Sequence, residues 1–324
     1  MQSPGEFEII DRYFRDIGHR ADVLLGVGDD AAVLEVPPGE CLVATVDTLI
    51  EDVHFPSGLA AADVGWRSLA VNLSDLAAMG ARPAWTTLSL SLPRADTGWL
   101  AGFAAGFAQL AETWGVALVG GDTVRGPLVV TVQAMGLVER EQWLTRSGAR
   151  PGHLVVVSGT LGDAAAGLAA WRGGAGASQC ERTLVERFTR PAPRIELGRR
   201  LRTCASAAMD VSDGLVADLE KLCAASACAA DIDVGSLPLS EALRTVHPVD
   251  RRELYALTGG DDYELVFTIA EESFAALCAQ QGLPVACTPI GRVRRGRGVV
   301  CRRHGEAISL PVAGYDHFGA GAAG

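Results

Sequence analysis

Strand-length apolar runs alternate with helix-length amphipathic segments along the whole chain, and this alternation is its strongest constraint. Residues 21–25, 31–36, 41–46 and 87–92 have strand length, and Pro37-Pro38-Gly39 forces a turn between the second and third. Over 61–79, Val64, Leu69, Leu73 and Leu76 recur close to a 3.6-residue period, which predicts a helix ending at Gly80. The pattern continues with helices over 99–114, 162–171, 181–188, 212–225 and 271–281, and strands over 116–119, 128–132, 153–157, 205–209 and 263–269. Interleaving of this kind predicts an α/β or mixed α+β protein rather than an all-α or all-β one. At roughly 100–200 residues per domain, 324 residues favour two domains. Arg150-Pro151-Gly152, followed at once by a strand, sets the boundary: 1–149 and 150–324.

Composition then removes whole classes of function. A net charge of −11 disfavours binding to nucleic-acid backbones, which needs clustered Lys and Arg. Lys221 is the only lysine; every other basic residue is arginine. A Walker A cradle, a pyridoxal Schiff base and a protein-kinase ATP lysine are thereby excluded. Glu6, Glu8 and Asp11 occupy the N-terminal stretch, where a signal peptide would have an apolar region. Gln109 and Glu112 interrupt the most apolar stretch, so no membrane span is expected and a cytoplasmic location is. The eight cysteines lack a CxxC and read as reduced thiols, and the six histidines show no zinc-ligand spacing.

Chemistry is concentrated in aspartates that follow apolar runs beside Gly, Ser or Thr. They lie in GVGDDAAV, ATVDTLIEDVHF, NLSDLAAMG, LVGGDTVRG, MDVSDGL and TGGDDYELVF. Strand ends would bring such side chains to one sheet edge, and small neighbours let a ligand approach the backbone. A lone Asp-Gly pair is ordinary turn chemistry. Six such corners are a different matter: at an effective dielectric near 20, two carboxylates about 4 Å apart repel by roughly 4 kcal/mol. Gathering them requires counter-cations, and oxygen-only ligands point to Mg²⁺ first. Asp75 stands out because it falls inside a predicted helix, on the face of Asn72, where no cap is needed. Gly26-Val27-Gly28-Asp29-Asp30-Ala31 mimics a dinucleotide fingerprint, but a strand rather than a helix is expected after it. Arg146 is a candidate phosphate clamp and His54 a candidate substrate contact. Lys221 and Cys223 read as ordinary faces of an amphipathic helix.

In this order, GEFEII, GVGDDAAVL, VDTLIEDVHF, NLSDLAAMGARPAW, GGDTVRG, LTRSGARPGH, RPAPRIELG, MDVSDGL, GGDDYELVF and GYDHF resemble the thiamine-monophosphate kinase family, from Gly5 to Phe318. The wider resemblance is to the aminoimidazole-ribonucleotide-synthetase-like ATP-binding superfamily. It implies two α/β domains, an N-terminal sheet that pairs with its twin across a homodimer, and ATP bound without a P-loop. The resemblance assigns Asp30, Thr45, Asp47, Asp75, Asp122, Asp210 and Asp213 to several Mg²⁺ ions. It assigns Gly121, Asp122, Arg146 and Ser212 to ATP, and His54, Asp261 and Phe318 to thiamine monophosphate. Three positions depart from the family pattern: Val46 stands where Thr is usual, Asp261 where Glu is usual, and Asp52 where Gly is commoner. No Ser, Cys or His is marked as a nucleophile by a neighbouring base. The expected reaction is therefore direct in-line transfer of the ATP γ-phosphoryl group to thiamine monophosphate, assisted by Mg²⁺. The alternatives are another ATP-dependent enzyme of the superfamily, or a non-catalytic Mg-nucleotide-binding protein.

Overall fold

The computed structural model describes residues 4–174, 178–280 and 282–310. They form two compact units. One comprises the described residues up to Leu76 together with Ala81–Glu141; the other comprises Ala77–Gly80 together with the described residues from Gln142 onward.

The first unit begins with α1 (Glu6–Ile9), which runs on as a π turn over Ile10–Phe14. The hairpin β1 (Val23–Leu25) and β2 (Val33–Leu34) comes next. The main elements are β3 (Glu40–Ile50), α2 (Ala61–Ala78), β4 (Arg82–Leu92), α3 (Thr97–Trp114), β5 (Ala117–Arg125) and β6 (Val129–Glu139). Four strands make one sheet in the order β3-β6-β4-β5, antiparallel except for β4 and β5, which α3 connects as a parallel pair. Asp96 caps α3 by accepting the Gly98 and Trp99 N–H groups, and Gly115 ends it in the left-handed region at φ 62°. Helices α2 and α3 cross backbone to backbone: a Cβ at Gly106 would sit 1.8 Å from the Ala62 carbonyl oxygen. One sheet face is buried, with Val130, Val132, Leu88 and Leu90 at its centre. The β1–β2 hairpin covers part of the other face, where Val23, Ala32 and Leu34 pack on Trp85, Met135 and Leu137. Elsewhere that face leaves Leu42, Val46, Ile50 and Val124 exposed.

The second unit contains β7 (Leu154–Ser158), α4 (Asp163–Arg172), α5 (Gln179–Thr189), α6 (Ile195–Leu201), β8 (Ala205–Val211), α7 (Leu215–Ala225) and β9 (Ala229–Asp233). It continues with α8 (Glu241–Val246), α9 (Val249–Thr258), β10 (Glu264–Ile269), α10 (Glu271–Ala279), β11 (Cys287–Arg294), β12 (Gly298–Arg303) and β13 (Glu306–Ala307). Its seven strands lie in the order β13-β12-β9-β11-β7-β10-β8. Val155, Val157, Met209, Val211, Leu219, Leu222 and Val266 are among its core residues.

Several boundaries differ from the sequence expectation, each for a local reason. The units divide at Glu141/Gln142 rather than at 149/150. The intervening segment is tied to the second unit: Thr145 O accepts from Ala208 N, and Ser226 Oγ donates to Arg146 O while accepting from Ala149 N. Strands β3 and β5 run well past the apolar runs, because polar and small residues continue the pleat. Asp47 and Asp122 consequently sit inside strands, not at their ends. Helix α7 starts at Leu215 instead of Ser212, since Gly214 takes φ 118°. GVGDDA leads into the two-residue β2 and no helix, as its turn signals require. All eight cysteines are free, and among the described residues no helix is long and apolar enough to cross a membrane.

Candidate active site

In the first unit, β3 alternates its side chains so that Thr45 and Asp47 share the buried face of the sheet with α2. Thr45 Oγ1 donates to Asp75 Oδ2 at 2.5 Å, and Asp47 N donates to Asn72 Oδ1 at 3.0 Å. The i, i+3 pair on α2 that the sequence singled out thus contacts two alternate residues of one strand, Asp75 through the Thr45 hydroxyl and Asn72 through the Asp47 backbone. Asn72 itself is fully buried and donates its amide to Ser68 O.

Asp122 lies elsewhere on the same sheet. Register places Asp47, Val132, Leu88 and Gly121 in one row, and Thr48, Thr131, Ser89 and Asp122 in the next. Neighbouring rows point to opposite faces, and β3 and β5 are opposite edges about three strand spacings, or roughly 14 Å, apart. Asp47 and Asp122 are therefore not brought together within this unit. Gly121 lets β5 lie against β4: at φ 153°, a Cβ there would stand 1.9 Å from the Leu88 carbonyl oxygen. Asp30 is exposed in the β1–β2 loop, where its N–H donates to Asp29 Oδ1 at 2.9 Å. His54 follows β3 in a tight turn, and its Nδ1 accepts from Ile50 N at 3.0 Å. That turn explains the Asp52 departure: the residue has φ 62°, a glycine-like conformation, and its carboxylate compensates by accepting from Ser57 N at 2.8 Å. Val46 points to the exposed face, away from Thr45 and Asp47.

In the second unit two loops join. Asp261 N donates to Ser212 O at 2.8 Å, and Tyr263 N donates to Val211 O at 2.9 Å. Asp261 and Tyr263 both have positive φ, at 72° and 50°, and Tyr263 Oη donates to Asp261 Oδ1 at 3.2 Å. The structure thus places Ser212, Asp213 and Asp261 side by side. Asp210 is buried on β8, opposite Leu265. Arg146 is exposed in the loop before β7, which Ser226 anchors through the Arg146 carbonyl. Phe318 lies outside the described residues.

Lys221 is not an ordinary surface residue. It pairs with Asp213 and, at 2.8 Å, with Asp218 Oδ1. Burial works against its charge, but both carboxylates outweigh that and hold the ammonium above the usual lysine range.

Beneath these loops lies a buried ionic network that sequence reasoning missed. Glu264 is fully buried on β10 and accepts from Arg194 Nε at 2.6 Å, Arg187 at 2.8 Å and Ser158 Oγ at 2.6 Å. Asp262 accepts from Gly162 N at 2.6 Å and Ala164 N at 3.2 Å. Burial pushes the Asp262 carboxyl up to about 8. For Arg187, burial opposes the charge, but Glu264, Asp262 and Asp163 outweigh it and raise its pKa. GGDDYEL and RPAPR contain these residues, yet only their tertiary contact reveals the pairing.

Donor type throughout is oxygen, from carboxylates and hydroxyls, which suits a hard divalent cation. Among the described residues no three His, Cys, Asp or Glu side chains are already grouped to hold one.

Residues 28–138 match the family described as AIR synthase related protein, N-terminal domain, and residues 150–303 match AIR synthase related protein, C-terminal domain. Fold and site together therefore define an AIR synthase related protein. The chain is 45% identical over 320 residues to thiamine-monophosphate kinase of Escherichia coli K12, covering 97% of this chain and 98% of that one. It is similar to the crystal structure of thiamine-monophosphate kinase from Stenotrophomonas maltophilia K279a, with 51% identity, 90% and 93% coverage and a TM-score of 0.84. The solved complex of AaThiL with AMPPCP and TMP matches with 35% identity, 90% and 92% coverage and a TM-score of 0.78. The chain belongs to the thiamine-monophosphate kinase family.

Proposed function

We propose that this protein transfers the γ-phosphoryl group of ATP to thiamine monophosphate, giving thiamine diphosphate and ADP. The observation that carries this reading is the full-length relation to thiamine-monophosphate kinases, one of which was solved with an ATP analogue and TMP. The attacking group is a phosphate oxygen of the substrate. It is already anionic, so no side chain has to remove a proton. Its new P–O bond forms as the bond from the γ-phosphorus to the ADP oxygen breaks, in line.

Asp30, Thr45, Asp47, Asp75 and Asp122 of the first unit, with Asp210 and Asp213 of the second, are the proposed ligands of several Mg²⁺ ions; Asp47 and Asp122, on opposite faces of their sheet, do not share one within the chain. When bound, the ions supply positive charge that offsets both phosphate groups. Arg146 adds a guanidinium for the nucleotide phosphates, and Gly121 and Ser212 offer backbone or hydroxyl contacts where no Cβ or long side chain intrudes. His54, Asp261 and Phe318 are the proposed contacts to thiamine monophosphate. With Nδ1 accepting from Ile50 N, a neutral His54 carries its proton on Nε2.

The exposed apolar face of the four-stranded sheet fits a second copy of this chain, in keeping with a homodimer. Charge and fold give no support for a nucleic-acid partner or a membrane site, and we place the enzyme in the cytoplasm. The deciding assay mixes purified protein, Mg²⁺, ATP and thiamine monophosphate and follows thiamine diphosphate and ADP by chromatography, with free thiamine as control. Equal amounts of both products are expected, and only with the monophosphate. ADP without thiamine diphosphate would overturn the reading.

A further inference from the structure

One proposed metal ligand already has a cation. Asp213 is ion-paired to Lys221, the only lysine in the chain. Lys221 reaches back along α7 and also lies 2.8 Å from Asp218 Oδ1. The other oxygen of Asp218 accepts three backbone N–H groups: Ser212 and Asp213 at 2.9 Å and Gly214 at 3.2 Å. One carboxylate therefore fixes both the loop that carries Ser212 and Asp213 and the lysine that neutralises Asp213.

The two ion pairs differ in access. Asp218 has no exposed side-chain surface, whereas Asp213 and Lys221 keep 34% and 43% of theirs. An ion arriving from solvent can reach Asp213 but not Asp218. If Lys221 leaves Asp213, it retains Asp218 as partner, so its charge is never stranded. No large movement is required, since the two carboxylates share one ammonium.

We propose that Lys221 is an internal counter-cation for Asp213, which a divalent cation must displace. This rests on the reading above that Asp213 is a metal ligand. Lys221 is a positioning residue: it keeps the acidic loop in place before the ion binds, and raises the cation concentration needed to fill that corner. An exposed ion pair contributes modestly, so the effect on half-saturation is on the order of two- to five-fold.

The test titrates Mg²⁺ against the melting temperature at fixed AMPPCP, with no turnover. Lys221→Gln keeps a donor for Asp218 and deletes the charge; Lys221→Arg keeps the charge and controls for packing. The Mg²⁺ midpoint is expected to fall about two- to five-fold in Lys221→Gln and to stay near wild type in Lys221→Arg. In an Asp213→Asn background, Lys221→Gln should no longer move the midpoint. An unchanged or higher midpoint in Lys221→Gln overturns the proposal, and so does an effect that persists without the Asp213 charge. A wild-type protein that shows no Mg²⁺-dependent shift with AMPPCP would remove the site reading itself, and this inference with it.

Discussion

Thr45 Oγ1 donates to Asp75 Oδ2 at 2.5 Å, fastening edge strand β3 to the last turn of α2. The bond delivers a carboxylate that no helix cap requires to the strand that also carries Asp47. Thr45→Val keeps the shape and removes the donor. It is expected to lower stability by about 1–3 kcal/mol, because a hydrogen bond to a charged group is lost. It should also raise the Mg²⁺ concentration needed for half-maximal turnover. Urea unfolding and a Mg²⁺ titration of activity check the two effects separately. A change in stability alone would mean that Thr45 serves only the fold.

Asp47 donates its backbone N–H to Asn72, and that bond survives when the carboxylate becomes an amide. Asp47→Asn should therefore leave the melting temperature nearly unchanged while turnover at limiting Mg²⁺ falls at least about tenfold, since even outer-shell partners of a metal cost about 10- to 100-fold when lost. Near-normal turnover would remove Asp47 from the proposed ligand set.

Val46 is 59% exposed on the sheet face opposite Asp47, in line with exposed Leu42 and Ile50. A carboxylate placed there would be desolvated in any contact that buries this face. Val46→Glu is expected to convert a dimer to a monomer that still melts cooperatively. Light scattering after gel filtration gives the mass of each. A monomeric wild type would dismiss the sheet-to-sheet arrangement.

Much of the architecture was legible because it follows local rules. The α2 period, the stop at Gly80 and the end of α3 at Trp114 need no tertiary knowledge. The same is true of the aspartates as a class, since each follows an apolar run. What was not legible depended on sheet geometry. Whether Asp47 and Asp122 face the same way is decided by strand order and pleat, which no run of residues displays. Lys221 looked like a solvated helix residue because its partners lie three and eight positions back, across a loop whose path is set by Gly214 and Asp218. Glu264 falls in the strand expected over 263–269, but its arginines come from α5 and the start of α6.

Glu264 joins Arg187 and Arg194 in a fully buried position. Removing one partner strands the others' charge, which typically costs about 3–5 kcal/mol. Glu264→Ala is expected to show that loss in urea unfolding, or to yield no soluble protein. Glu264→Gln, which keeps the acceptor oxygen for one guanidinium, should lose less. If Glu264→Ala were within about 1 kcal/mol of wild type, another carboxylate would have to take over, and Asp163 already lies 3.7 Å from Arg187.

Asp262 makes the stability of the second unit depend on pH, and the sign can be worked out. Burial raises its folded pKa to about 8 from an ordinary value of 3.8. The fold therefore favours the protonated acid. The stability this contributes is complete below the unfolded value and is lost as pH rises through the folded one, with a slope of up to about 1.4 kcal/mol per pH unit. Asp262→Asn cannot ionise, so it lacks this dependence, while its amide oxygen can still accept from Gly162 N. Wild type should accordingly lose stability relative to Asp262→Asn between about pH 4 and pH 8, with the difference levelling off above the folded value. Urea midpoints at three or four pH values across that window measure the difference directly. A difference that stayed constant with pH would mean that Asp262 remains ionised in the fold, with Arg187 as its counter-charge.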